Sequence, residues 1–301
     1  MTDAPPSGPL HSPGFVAAWR AWLLHSGDYR GDGDYIVLRD LLGRRVYSYL
    51  PLLNYTDLDR AALAGRLAAL GRPRYHGRAL DPGAADFRPR QPVTLRLALP
   101  AGEDPEALWA GAFTGKLRNQ LRKSLKSGLQ ALRSARPDVI EDFYAVYARR
   151  MHAYGSPPLA LSLFRSLPDF LPAEYWVVYR DRRPLAGLVA LRDGPLVWVP
   201  WAASDPAARR YCPNHFLYWS AIQAACEAGA SVFDFGRSPY GGETFRFKSQ
   251  WGARPVGIHI FTPRPDDVYA KYALAARLWR RLPRALADRL GPRLCPRLPD
   301  L

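Results

Sequence analysis

Apolar positions along this chain fall into short runs that switch between helical and strand spacing. Phe15 to Leu24 (FVAAWRAWLL) predicts a short apolar helix. Tyr35 to Leu38 and Val46 to Leu53 predict strands, the second closing with Pro51 and Asn54. Thr56-Asp-Leu-Asp59 predicts a capping-box start for a helix that runs to Leu70 and stops at Gly71. Val93 to Leu99 alternates at period two, which predicts a half-buried strand. From the cap pair Asp104-Pro105 a helical pattern continues to about Leu132. Leu117, Leu121, Leu125, Leu129 and Leu132 form its stripe, and Lys116, Arg118, Arg122, Lys123 and Lys126 cover its other faces. Ser134 to Asp138, with Pro137, predicts a linker.

The second half reads in a clear order. Asp138 predicts the cap of a helix burying Ile140, Phe143, Tyr144, Tyr147 and Met151 and stopping at Gly155. A further helix is predicted near Leu161 to Leu167, then strands at Glu174 to Tyr179, Leu185 to Leu191 and Leu196 to Ala202. Asp193-Gly194 predicts a tight hairpin. A loop with Arg209-Arg210-Tyr211 precedes a helix from Asn214 to Ala228, ended by Gly229. A buried strand opens at Ser231, and a last strand spans Val256 to Phe261.

The chemistry concentrates after Ser231. There a carboxylate, Asp234, interrupts an apolar run, Gly236 ends it, and a loop follows with Pro239, Gly241 and Gly242. Arg237, Ser238, Tyr240, Glu243 and Arg246 ride on this loop, which continues into Phe247-Lys-Ser-Gln-Trp-Gly252. A strand feeding a polar glycine loop is where α/β proteins hold ligands.

Length and charge narrow the setting. At 301 residues the chain is long enough for two packed units, and a net charge of +15 favours anionic partners. Arg outnumbers Lys so strongly, Lys standing only at 116, 123, 126, 248 and 271, that a GC-rich genome also explains the charge. The three cysteines, Cys212, Cys226 and Cys295, lack CxxC spacing, which argues against a zinc site or a disulfide framework and fits a reducing cytosol. Met1 to Pro13 has no apolar stretch of the signal-peptide type, and no run approaches the roughly 18 apolar residues of a membrane span. The expectation is a cytoplasmic chain, in at most peripheral contact with the inner face of an anionic membrane.

The order of elements resembles the GNAT acyltransferase fold. Phe233-Asp-Phe-Gly-Arg-Ser238 with Phe247-Lys-Ser-Gln-Trp-Gly252 narrows the likeness to the FemABX peptidyl and aminoacyl transferases. Among these the chain is similar to the FemAB-like branch associated with exosortase and exopolysaccharide loci, through Leu117-Arg-Asn-Gln-Leu-Arg-Lys123, Phe143-Tyr-Ala-Val-Tyr147, Tyr154-Gly-Ser-Pro157 and the Lys271 to Gly291 tail. The resemblance implies an α/β (α+β) fold of two tandem GNAT-like units with mixed sheets flanked by helices. The units expected are a disordered N-terminus (1–14), a degenerate first unit (15–135), a catalytic second unit (136–265) and a basic helical tail (266–301).

It also implies transfer of an acyl or aminoacyl group to an amine on a cell-envelope or exopolysaccharide precursor. Lys248 aligns with the lysine of the family's Phe-Lys motif and is expected to stabilise the developing oxyanion, flanked by Phe247 and Trp251. Asp234 is expected to orient the amine, to accept its proton, or to pair with Arg237 and anchor the loop. Arg237, Ser238, Tyr240 and Arg246 are expected to shape the pocket, with Asn214 and Tyr218 at the start of the preceding helix, whose N–H groups suit a phosphate or carbonyl. No metal is implied. CoA-using GNAT enzymes carry a glycine-rich pyrophosphate loop before that helix, but here the segment is Ala207-Ala-Arg-Arg-Tyr-Cys-Pro-Asn214, without glycine. That lowers acetyl-CoA as donor without excluding it, and leaves aminoacyl-tRNA or another carrier-bound acyl group more open.

Two other readings stand beside this one: an acyl-CoA-dependent N-acyltransferase, and a non-catalytic basic protein that binds RNA or a membrane surface. In the tail, leucines recur every fourth residue from Leu274 to Leu298 among arginines, as in a helix lying at a membrane interface, while Pro283, Pro292 and Pro296 favour short pieces docked on the body.

Overall fold

The computed structural model describes residues 9–84, 86–100, 105–263 and 272–298. The Ser12 hydroxyl accepts the Phe15 N–H and, with Pro13 in the first turn, starts α1 (Pro13–His25). Its Trp19 and Trp22 are wholly buried, and truncating either would cost roughly 3–5 kcal/mol. Strands β1 (Arg30–Asp32), β2 (Tyr35–Arg39) and β3 (Arg45–Ser48) follow, then α2 (Arg60–Ala69), β4 (Tyr75–Asp81) and β5 (Pro92–Ala98). After α3 (Glu106–Gly111) and α4 (Gly115–Leu125) come β6 (Gln130–Arg133), α5 (Pro137–Tyr154) and α6 (Leu161–Phe170). The chain continues through β7 (Ala173–Arg180), β8 (Arg183–Asp193), β9 (Leu196–Ser204), a 3-10 turn at Pro206–Tyr211 and α7 (Pro213–Glu227). β10 (Val232–Pro239), α8 (Glu243–Ser249) and β11 (Arg254–Phe261) precede the tail helices α9 (Ala273–Arg281) and α10 (Arg284–Leu294).

Among the described residues eleven strands form one mixed sheet in the order β1-β2-β3-β4-β11-β5-β10-β9-β8-β7-β6. Strands from either side of residue 135 are interleaved in it: β5 lies between β11 and β10, and β6 pairs with β7 at the far edge. Two aromatic-rich cores line the sheet, one around Trp19, Trp22, Phe143, Phe164 and Trp198, the other around Phe113, Trp219, Phe233, Phe235 and Trp251. Such a mixed sheet flanked by helices is the expected fold class.

Several boundaries differ from the sequence expectation. The second predicted strand ends at Ser48, and Leu50 and Leu52 take positive φ (58° and 69°), a strained turn for leucine. Asp59, not Thr56, caps α2, its carboxylate accepting the Ala62 N–H at 2.7 Å. β4 was not predicted at all. β5 is buried on both faces along Val93–Leu97 rather than half-buried, because β10 and β11 flank it and helices cover it.

The long helix predicted from Asp104 to Leu132 divides. Thr114 caps a fresh helix at Gly115, and the chain turns at Gly128 (φ 65°) into β6. Leu125 and Leu132 consequently leave the apolar stripe and are 53% and 38% exposed. Asp104 lies outside the described residues. Arg136 occupies the cap position of α5, and Asp138 pairs with Arg136 instead of capping. Of that helix's expected buried face, Tyr144 and Met151 are only half-buried, while Val146 joins the core. Gly155 closes α5 in the left-handed conformation, as its position suggested.

Residues 1–8, from the stretch expected to be disordered, lie outside the description, but His11 is buried, stacked between Phe15 and Tyr55 at 4.5 and 4.7 Å. Its Nδ1 stands 3.1 Å from Asp193, which also accepts from Ser12.

Candidate active site

β10 builds the site. It runs parallel to β9 along Val232–Asp234 and antiparallel to β5, with a bulge between Asp234 and Arg237. The bulge turns on Gly236, which sits at φ 75° where a Cβ would fall 2.3 Å from the Val199 carbonyl oxygen. Only glycine fits both the dihedral and the contact. The strand therefore continues through Gly236 to Pro239 instead of ending there.

Asp234, wholly buried, holds the bulge. One carboxylate oxygen accepts the Tyr55 hydroxyl at 2.8 Å and Arg96 Nε at 3.0 Å; the other accepts the Gly236 N–H at 2.8 Å and the Thr94 hydroxyl. With four donors the carboxylate is fully hydrogen-bonded, and it anchors the loop. Its ionic partner is Arg96, directly opposite on β5, and not Arg237. Both side chains of this pair are fully buried, and the guanidinium also lies over the Tyr55 ring at 4.8 Å.

Lys248 lies on α8, which Gly242 begins, and is 8% exposed. Its ammonium donates to the carbonyl oxygens of Gly236 at 2.9 Å and Arg237 at 3.1 Å. Burial pulls it down to about 7, opposed by the attraction of Asp234 and reinforced by the charge of Arg237. The expected flanking by rings takes another form: Phe247 and Trp251 pack on each other at 6.2 Å and on Tyr218, while the ammonium reaches away to the two carbonyls.

Other predicted residues separate. Arg246, one helical face away from Lys248, is exposed and does not join the site. Tyr240 packs between Phe87 and Phe245, with its backbone paired to residues 90 and 91 of the β5 approach. Ser238 is buried beside the bulge, its hydroxyl without a hydrogen-bond partner among the described residues. Asn214 stands in the first turn of α7, but Pro213 has no N–H and the His215 and Phe216 N–H groups both return to the Cys212 carbonyl. That end of α7 offers less of a phosphate cradle than expected. His215, in the same turn, is held neutral by burial, down to about 4.

Sequence reasoning missed the first half's contribution. Besides Tyr55, Thr94 and Arg96, Asn54 reaches the gap beside β10: with its amide oriented to satisfy both partners, its oxygen accepts Trp198 Nε1 at 3.3 Å and the Arg237 N–H at 3.0 Å. The buried His76 lies near the same region, pushed down by burial and then by the charges of Arg78 and Arg237. One signal was available: a lone carboxylate in an apolar run demands a buried base, and Arg96 stands in the middle of the most regular strand.

Comparison with known proteins accords with this geometry. Residues 113–249 match the family profile described as acetyltransferase (GNAT) domain, a span ending just past Lys248. No curated protein matches the chain. Among solved structures, FemX superposes with a TM-score of 0.59 at 14% identity, over 90% of this chain and 96% of FemX. The C-terminal domain of a putative lysylphosphatidylglycerol synthetase from Agrobacterium fabrum gives 0.53 at 17% identity, over 87% of this chain and 95% of that one. L-PGS from Bacillus licheniformis gives 0.52 at 14%, over 92% and 99%. At such identities the likeness is one of fold. Residues 113–249 thus carry the pattern of a GNAT acetyltransferase domain, set within a fold like that of FemX.

Proposed function

We propose that this chain is an acyltransferase that moves an acyl or aminoacyl group from an anionic carrier to an amine, forming an amide on a cell-envelope or exopolysaccharide precursor, as in the FemAB-like branch. Residues 15–135 serve as a companion unit that completes the site of the second through Asn54, Tyr55, Thr94 and Arg96. The observation that carries the reading is the buried ammonium of Lys248, fixed by two carbonyls on the bulge of β10. An ammonium has three N–H donors, and two are committed here. The third is free for a carbonyl oxygen that becomes an oxyanion when a neutral amine attacks the acyl carbon. As the tetrahedral species collapses, the bond to the carrier oxygen breaks, and a group titrating near 7 passes a proton to that oxygen and regains one from the new amide nitrogen. No covalent enzyme intermediate is required.

Aminoacyl-tRNA is the favoured donor, because the segment before α7 has no glycine and that helix's first-turn N–H groups are largely engaged. The three cysteines, all free and buried, suit the cytoplasm, where such donors occur. The test offers bulk tRNA charged with labelled amino acids, or labelled acetyl-CoA, and follows label moved to an amine acceptor pool from the envelope fraction. Transfer from tRNA supports the reading, transfer from acetyl-CoA alone reassigns the donor, and transfer from neither refutes it.

A further inference from the structure

The tail's two faces differ in kind. The inner face docks: Trp279 and Ala287 are buried, Ala276 packs against Gly155, and Gly291 meets Pro158 so closely that a Cβ would lie 2.4 Å from its ring. The Leu282 carbonyl lies 3.1 Å from His152 Nε2, and the guanidinium of Arg280 donates to the Tyr154 carbonyl at 3.4 Å. The leucine repeat is therefore divided by this docking rather than used all round.

On the outer face Leu274, Arg277, Leu278 and Arg281 follow one another at helical spacing on α9, and Leu286, Arg289 and Arg293 on α10, all exposed. Leu274 is 69% exposed, Leu278 57% and Leu286 42%. Between residues 272 and 298 there are seven arginines and one acid, Asp288, which is already paired with Arg284. Tyr154, itself 46% exposed and lying under the Arg150 guanidinium at 4.2 Å, borders the same surface.

We propose that this outer face is a docking surface for an anionic lipid bilayer, on which the chain rests through α9 and α10 without crossing it. Among the described residues no helix is long and apolar enough to span a membrane. The charge selects an anionic partner, and the leucines select among such partners. RNA has no use for protruding aliphatic side chains, whereas an interface of headgroups and acyl chains accepts leucines between arginines. The proposal goes beyond the acyl-transfer reading, since it does not depend on Lys248, and it makes the bilayer surface the place where an acceptor is met.

The experiment is co-sedimentation of the full chain with vesicles of phosphatidylcholine mixed with phosphatidylglycerol, or of phosphatidylcholine alone. Wild type is expected to sediment with the mixed vesicles only, and less so as salt rises. The double variants L274E/L278E and R277E/R281E should each weaken binding by about tenfold or more with unchanged melting temperature, because these side chains touch solvent. Lys248→Ala should bind vesicles as wild type does, so a failed transferase assay and a failed docking assay remain distinguishable. Equal sedimentation of wild type and both double variants overturns the proposal. So does absence of wild-type binding, or retention by bulk tRNA in place of vesicles.

Discussion

The ammonium of Lys248 donates to the carbonyl of Gly236 at 2.9 Å, joining a helix residue to a backbone position where only glycine fits. The cation and the bulge are thus one device. Asp234 fixes the bulge from below, and the bulge fixes the carbonyls that hold the cation.

Stability should carry the signature of that buried charge. Lys248 titrates near 7 when folded against an ordinary value of 10.5, so the unfolded chain binds more protons between those pH values. Folding is penalised in full below pH 7, and the penalty lifts as pH rises toward 10.5. The depression corresponds to roughly 5 kcal/mol at most. Lys248→Met should lack this rise, so its stability relative to wild type is greatest near pH 6 and falls as pH increases. Denaturant unfolding of both proteins across that range measures it; a pH-independent difference contradicts the assignment.

Gly236→Ala should destabilise by about 3 kcal/mol or more, since it strains φ and forces a methyl group against the Val199 carbonyl. Activity should fall along with the melting temperature. A variant as stable as wild type would show that the bulge is not constrained as described.

Breaking the Asp234–Arg96 pair from one side leaves a bare charge in the core. Asp234→Asn and Arg96→Met should each cost about 3–5 kcal/mol. The double variant should cost clearly less than their sum, because neither charge is then stranded. Additive losses in a double-mutant cycle would dismiss the coupling.

Arg246→Ala should change stability by no more than about 0.5 kcal/mol and leave transfer intact, because that side chain is exposed on the far side of α8. A large loss of activity would return Arg246 to the site.

The second half of the fold was legible in the sequence because its strands are long apolar runs separated by strong stop signals such as Gly155, Asp193-Gly194 and Gly229. Lys248 was legible as a residue but not in its surroundings. Adjacent rings in sequence suggested a sandwich, yet Phe247 lies one residue round α8 and Trp251 falls in the turn past its end, which leaves the long lysine stem free to reach β10. The partners of Asp234 were illegible for a different reason. They come from positions near 55, 94 and 96, and no local pattern announces a cross-strand contact spanning about half of the chain. The broken helix after residue 104 failed because leucine spacing ran on in register past Thr114 and Gly128, where capping and a left-handed glycine outweighed periodicity.

The most direct test of the central claim is acyl transfer by Lys248→Ala, assayed with charged bulk tRNA beside wild type at matched folded fraction. The account predicts a loss of about a hundredfold or more in kcat with the protein still folded. Wild-type turnover by that variant would contradict it.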